Sequence, residues 1–322
     1  MKLGGLQGPG QLILDPFPGL LSARLMPSSS GPAWEERPPR VLLVTAHPDD
    51  ETLFGGAVYT LSHSLGGQVE LVVFTRGEGG YRTSTLAEPL YGLKLTDPEV
   101  ARVHMGRIRE QELRAAARLL GVRECVFLDQ PDAGFTVDAG ASAGEGWDTA
   151  FIQQRLRERM LQGRYDFVFV MLPLPLTHTH HRASALLTLE VVAGLAPHER
   201  PLVLGATGHT RRKGVAEENR QGFPIPEVED VSYGGVPGQP LADVHPGAVF
   251  EFDRTRRFGF RDRLDYNIVV DWAIAEHKTQ GVMQLRRGAI ELERYWYFAL
   301  NPEAGLARAR ALFERLAAAP PP

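Results

Sequence analysis

The sequence predicts an α/β fold: an open, mostly parallel sheet with helices on both faces, plus an irregular insertion late in the chain. Three observations predict it. Short apolar, β-branched runs alternate with longer stretches of helical pattern. The first run is apolar at successive positions rather than at every second one, as in a strand covered on both faces. Helical stretches stop at glycine, at Gly66-Gly67 and again at Gly121, where a left-handed turn closes a helix.

Taken in order, residues 1–38 carry many Gly, Pro and Ser and read as a flexible leader. Arg40 to Ala46 is the first strand, Thr52 to Leu65 a helix, and Val69 to Thr75 the second strand. The glycines of Arg76-Gly77-Glu78-Gly79-Gly80 force a loop, and 82–97 is irregular. A helix then runs from about Pro98 to Leu120, a third strand from Glu124 to Leu128, and a Gly- and Asp-rich loop over 129–147. Thr149 to Gln162 is helical, Asp166 to Leu172 a strand, 181–194 a helix, and Pro201 to Gly205 a strand. This alternation makes 39–205 a Rossmann-like α/β core. Residues 206–264 break the rhythm and read as an insertion at a pocket rim. Tyr266 to Val270 and a helix around Asp271 to Leu285 return to it, and Glu303 to Ala319 is a closing helix within 265–322.

The chain has 322 residues, of which 43% are hydrophobic, enough for a large core and against global disorder. Lys plus Arg number 35 against 39 Asp plus Glu, a net charge of −4. That argues against a nucleic-acid or anionic-membrane binder, which needs a basic face. A single cysteine, Cys125, excludes an intramolecular disulfide framework and a Cys-rich zinc module. No apolar run approaches the ~18–20 residues of a membrane span. The start of the chain is broken by Pro9, Asp15, Pro16 and Pro18, unlike a secretory signal. The expectation is a cytoplasmic protein with a small-molecule partner, no nucleic acid and no membrane span; no oligomeric interface is legible.

Chemistry concentrates in two places. The first strand runs straight into His47-Pro48-Asp49-Asp50-Glu51. At the C-terminal end of a parallel strand such groups point into the crevice where open α/β sheets bind ligands. The fourth strand leads, past Pro173 and Pro175, into His178-Thr179-His180-His181 at the same edge. Together the two loops offer two imidazoles and a carboxylate to one divalent ion, with a position open for water, as in catalytic zinc sites. Asp49 or Asp50 also suits the cap of the following helix, and a capping carboxylate can ligate as well.

The stretch Ala46-His47-Pro48-Asp49-Asp50-Glu51 resembles the signature of the LmbE/PIG-L family of zinc-dependent N-deacetylases. Three weaker marks follow in order: Thr75-Arg76-Gly77-Glu78-Gly79-Gly80, Arg109-Glu110-Gln111-Glu112, and His277-Lys278-Thr279-Gln280. The resemblance covers about 40–205 and 265–282. It implies zinc held by His47, Asp50 and His181, with His180 the alternative third ligand. It implies Asp49 as general base toward the zinc-activated water, and His178 as the group that stabilises the oxyanion or protonates the leaving amine. The implied reaction is removal of an acetyl (acyl) group from an N-acetylated small molecule, an amino-sugar conjugate by default. Zinc addresses the weak electrophile by acidifying water toward ~7 and polarising the carbonyl.

The chain departs from the family at 178–181. Thr179 and His180 stand where Pro and Asp are usual, and Leu176 where some members carry Tyr. An Asp in place of His180 would orient His178 and raise its pKa. On the substrate side the candidates are Arg76, Glu78, Arg109 and Arg211. Arg109 and Glu112, three apart on one helix, also read as a surface ion pair. His277 and Gln280 divide between packing and support of the site. Gly77-Glu78-Gly79-Gly80 reads as pocket wall rather than a phosphate cradle, since Glu78 repels an anion. Two other functions compete: an iron(II) enzyme using the same two-His-one-carboxylate set, and a non-catalytic ligand binder of the same fold.

Overall fold

The computed structural model describes residues 37–134, 146–175, 177–210, 233–286 and 290–321. Strand β1 (Arg40–Thr45) leads through a 3-10 turn (Asp50–Phe54) into α1 (Gly55–Tyr59) and a π-helical turn (Thr60–Ser64). After β2 (Gln68–Thr75) come two 3-10 turns and the short α2 (Glu88–Tyr91), where the sequence suggested only irregular chain. The long α3 (Pro98–Leu119) starts on Asp97, whose side chain caps Glu99 and Val100, with Pro98 in its first turn. Then follow β3 (Val122–Gln130), α4 (Thr149–Gly163), β4 (Phe167–Met171), α5 (Thr179–Ala193) and β5 (Leu202–His209). The chain continues with β6 (Val244–Asp253), α6 (Asn267–Glu276), a 3-10 stretch (Lys278–Arg286), β7 (Leu292–Phe298) and α7 (Gly305–Ala318).

The seven strands among the described residues share one sheet in the order β3-β2-β1-β4-β5-β7-β6. The pairs from β3 through β5 are parallel, whereas β7 runs antiparallel to both β5 and β6. Alternate residues of the parallel strands feed two cores. Val41, Leu43, Leu71 and Val73 pack with α1, α3, α6 and α7. Leu42, Val44, Val72 and Phe74 pack with α4 and α5. Helices therefore cover both faces, which is why these strands are apolar throughout.

Two expectations change. Part of the region read as an insertion, 244–253, is the edge strand β6, and Tyr266–Val270 is helical from Asn267 rather than the strand that would restore the rhythm. A run that is apolar at nearly every position fits a buried helix as well as a buried strand. The sheet's return strand is instead β7, whose Glu293 and Arg294 interrupt its apolar pattern. Glu293 is fully buried, paired with Arg254 (2.8 Å) and accepting the Gly56 N–H (2.7 Å). Residues 1–36 of the leader, Leu176, and 211–232 with Arg211 among them lie outside the described residues.

The order of the sheet places the site. Between β1 and β4 the direction of winding reverses, so the loops after these two strands part and leave a crevice at the carboxyl edge. The loop after β1 carries His47 and Asp49 into the 3-10 turn at Asp50, and the loop after β4 reaches His178, just before the first turn of α5 with His180 and His181.

Candidate active site

The loop after β1 is folded around Asp50. Its Oδ2 accepts the backbone N–H groups of Ala46 (3.0 Å) and His47 (2.8 Å), turning Oδ1 toward the crevice. The loop after β4 ends at His178, which caps α5: its Nδ1 accepts the backbone N–H of His180 at 3.0 Å. The first turn of α5 then presents His180 and His181 to His47.

His181 Nε2 lies 3.0 Å from Asp50 Oδ1 and 3.2 Å from His47 Nδ1, and His47 Nδ1 lies 3.6 Å from Asp50 Oδ2. Ligand atoms of His47, Asp50 and His181 all fall within 4.8 Å of one another, as do those of His47, His178 and His180. The first set fits a divalent cation. Two neutral imidazole lone pairs and one carboxylate oxygen form a borderline donor set suited to zinc. The remaining ring nitrogens have partners: His47 Nε2 faces His180 Nδ1 at 3.1 Å, and His181 Nδ1 faces the Thr177 hydroxyl at 3.4 Å. Such outer partners fix the tautomer that leaves the inner nitrogen free to bind.

Asp49 stays outside this set and is held apart. Its backbone is at φ 129°, a region rarely adopted by residues with a side chain. Its Oδ2 accepts from Arg109 at 2.9 Å. Arg109 is 3% exposed and also donates to the carbonyls of Gly77 (2.6 Å) and Pro48. Arg109 and Glu112 are thus not a surface pair. Glu112 is also buried and accepts from Thr279 and the Tyr91 hydroxyl (2.8 Å). The glycine loop after β2 wraps the guanidinium: a Cβ on Gly77 or Gly80 would collide with Arg109, and Gly77 is left-handed at φ 69°. Gln280 donates to the Gly80 carbonyl at 3.1 Å, and His277 meets Glu51 at 2.5 Å. The four sequence marks therefore close into one network.

The charges follow from this packing. Burial pushes the Asp49 carboxyl up, with Arg109 opposing and Asp50 adding to the rise. Burial would also raise Asp50, but His181 and His47 outweigh it and hold Asp50 well below the usual carboxylate range. Burial and then the neighbouring histidines push His178 far below its ordinary value, and take His180 down to about 4. Both are neutral imidazoles at physiological pH.

A cavity of about 820 Å³ opens over these groups. Its lining includes the polar groups of His47, Asp49, Asp50, His178 and His181 and the apolar side chains of Leu172 and Val270. Of the substrate-side candidates, Glu78 and Arg109 reach the cavity. Arg76 does not: Asp129 (2.5 Å) and Glu110 bind its guanidinium, which lies over the Phe127 ring. Asp132 was missed by sequence reasoning. It sits just past β3 at the same carboxyl edge, so its position in the chain carried the signal. It accepts the Gly79 N–H at 3.1 Å and approaches His180 Nδ1 at 3.6 Å.

The fold and site define an α/β domain with a candidate metal centre at the switch point of its sheet. Residues 42–192 match the family model described as PIG-L: GlcNAc-PI de-N-acetylase, so this part of the chain is similar to a PIG-L (LmbE) family domain. It is 40% identical over 91 residues to 1D-myo-inositol 2-acetamido-2-deoxy-alpha-D-glucopyranoside deacetylase 1 of Saccharopolyspora erythraea, 28% of each chain. It is 41% identical over 91 residues to the deacetylase of the same description from Actinosynnema mirum, 28% of this chain and 30% of that one. The chain thus spans less than a third of the length of these curated relatives. Among solved structures, the A40926 pseudoaglycone deacetylase Dbv21 aligns with 82% of this chain and 99% of its own, at 16% identity and a TM-score of 0.49. No helix among the described residues is long and apolar enough to cross a membrane.

Proposed function

We propose that the chain is a zinc-dependent N-deacetylase that removes an acetyl (acyl) group from an N-acylated small molecule of the amino-sugar-conjugate class. The observation that carries this is the convergence of His47, Asp50 and His181 beside an unligated carboxylate, Asp49, that is paired with a buried arginine. The names of the relatives support the substrate class. His47, Asp50 and His181 would hold the cation, which supplies Lewis acidity to the scissile carbonyl and acidifies the attacking water.

The chain's own groups divide the remaining work. Asp49 takes a proton from the attacking water and returns it to the departing amine nitrogen as the C–N bond breaks, so proton and bond changes balance. Arg109 holds the Asp49 carboxylate in place. His178 accepts at Nδ1, so its proton sits on Nε2. As a neutral N–H donor it stabilises the carbonyl oxygen as that oxygen gains charge, which favours the oxyanion role over protonation of the amine. Among the described residues Glu78 Oε2 is buried without a hydrogen-bond partner, and Glu78 lines the cavity, a fit for a substrate hydroxyl. Arg211 and the 206–264 segment remain the proposed source of selectivity at the rim, and a cytoplasmic location belongs to the same reading.

The test is acetate release from a panel of N-acetylated amino sugars, with metal-free and zinc-loaded protein, alongside metal analysis after anaerobic purification. Zinc-dependent release from at least one member is expected. Folded, zinc-loaded protein that releases nothing would refute the deacetylase, and native iron with oxygen uptake would establish the iron enzyme instead.

A further inference from the structure

We propose that Glu51 and His277 are positioning residues for Asp49, holding the backbone that aims its carboxylate; this rests on the reading of Asp49 as the base. Asp49 occupies a costly conformation at φ 129°, and something must keep it there. Its carbonyl accepts from Thr52, at 3.2 Å from N and 2.7 Å from Oγ1. Its N–H donates to Glu51 Oε2 at 3.0 Å. The other oxygen of Glu51, Oε1, meets His277 Nε2 at 2.5 Å.

Glu51 and His277 are both fully buried. A carboxylate in such a place is unfavourable unless its oxygens are satisfied. Here one oxygen holds the strained residue and the other is anchored by an imidazole. Among the described residues His277 Nδ1 has no hydrogen-bond partner, and the polar contact of this ring goes to Glu51. His277 lies 226 positions from Glu51 in the chain, at the end of α6. Its neighbours are fastened too: the Thr279 N–H donates to Glu112 (3.0 Å), and Gln280 donates to Gly80. The end of α6 is therefore docked against α3, which carries Arg109, and against the glycine loop that wraps its guanidinium. Asp49 is gripped twice: at its carboxylate by Arg109, and at its amide by Glu51 backed by His277.

The experiment compares His277→Leu, which keeps bulk and loses the donor, with His277→Gln, which keeps an N–H near the Nε2 position. Hydrogen exchange at the Asp49 amide is read first, because it needs no substrate. The expectation is faster Asp49 exchange in His277→Leu, near-normal exchange in His277→Gln, and zinc stoichiometry unchanged in both. With a working substrate, kcat should fall about 10–100-fold in His277→Leu, with KM within about twofold, and recover most of the way in His277→Gln. If His277→Leu fails to fold, Glu51→Gln replaces it, since its side-chain amide cannot serve both partners as the carboxylate does. Unchanged Asp49 exchange, or a fall in melting temperature with kcat per zinc-loaded site intact, overturns the proposal. Altered exchange in a protein that turns over no substrate would instead uphold the positioning and count against Asp49 as the base of a deacetylase.

Discussion

Replacing Arg109 by Met tests how the proposed base, Asp49, is held. Methionine keeps most of the aliphatic packing and removes the charge and all donors. Three acceptors lose their partner: Asp49 Oδ2 (2.9 Å), the Gly77 carbonyl (2.6 Å) and the Pro48 carbonyl. The side chains of Arg109 and Asp49 are 3% and 14% exposed, so the pair is close to fully buried. Breaking a buried pair by removing one partner costs about 3–5 kcal/mol. At roughly 2–4 °C per kcal/mol for a domain of this size, melting should fall by about 6–20 °C. The pH profile gives the sharper readout. Burial raises the Asp49 carboxyl and Arg109 opposes the rise, so loss of Arg109 raises it further. A base works when deprotonated, so activity climbs as pH passes its pKa. The acidic limb of kcat/KM should therefore move to higher pH in Arg109→Met. Arg109→Lys should move it less, because it restores the charge without the fork. An acidic limb that stays in place while zinc content is normal would refute the pairing of Arg109 with the proposed base.

Three further outcomes follow from the same geometry. Asp49→Asn should keep zinc near one per chain while turnover falls by about 10²–10⁴-fold; loss of zinc with activity would make Asp49 a ligand. Gly77→Ala places a Cβ at φ 69° against the Arg109 guanidinium. The left-handed conformation alone costs ~1–2 kcal/mol, so melting should drop by several degrees and turnover with it; wild-type melting and turnover would count against the cradle. Burial pushes the Cys125 thiol up to about 11, with Glu51 adding to it. Alkylation by iodoacetamide at pH 7.5 should therefore be roughly two orders of magnitude slower in the native protein than in the urea-unfolded chain. Equal rates would show that Cys125 is not in the packed environment described.

Much of this was legible in the sequence, for identifiable reasons. The inner parallel strands β1, β2, β4 and β5 are largely apolar on both faces and bounded by turns, so local pattern alone locates them. His47-Pro48-Asp49-Asp50 and His178 to His181 follow strands directly, and the carboxyl-edge rule then brings them together. Strand β7 escaped because Glu293 and Arg294 break its pattern; Glu293 is buried with its charge met by Arg254 and its oxygens by the N–H groups of Gly56 and Ala57, all distant in sequence. Arg109 looked like half of a surface pair because spacing along a helix says nothing of what packs on that helix. Its true partner, Asp49, lies 60 positions away. Arg76 carried the family's loop motif, yet Glu110 and Asp129 turn its guanidinium away from the pocket. The departure at His180 was visible but its consequence was not. His180 ends beside His47 Nε2 and Asp132, while His178 is oriented by the backbone N–H of residue 180, which any residue but proline supplies.

The most direct test is competitive zinc titration of the wild-type protein and His181→Ala, read as moles of tightly bound metal per chain. One zinc in the wild type and a sharp loss of occupancy in the variant are the predicted results. One tightly held zinc in both would contradict the assignment of His47, Asp50 and His181, and would move the third ligand to His180.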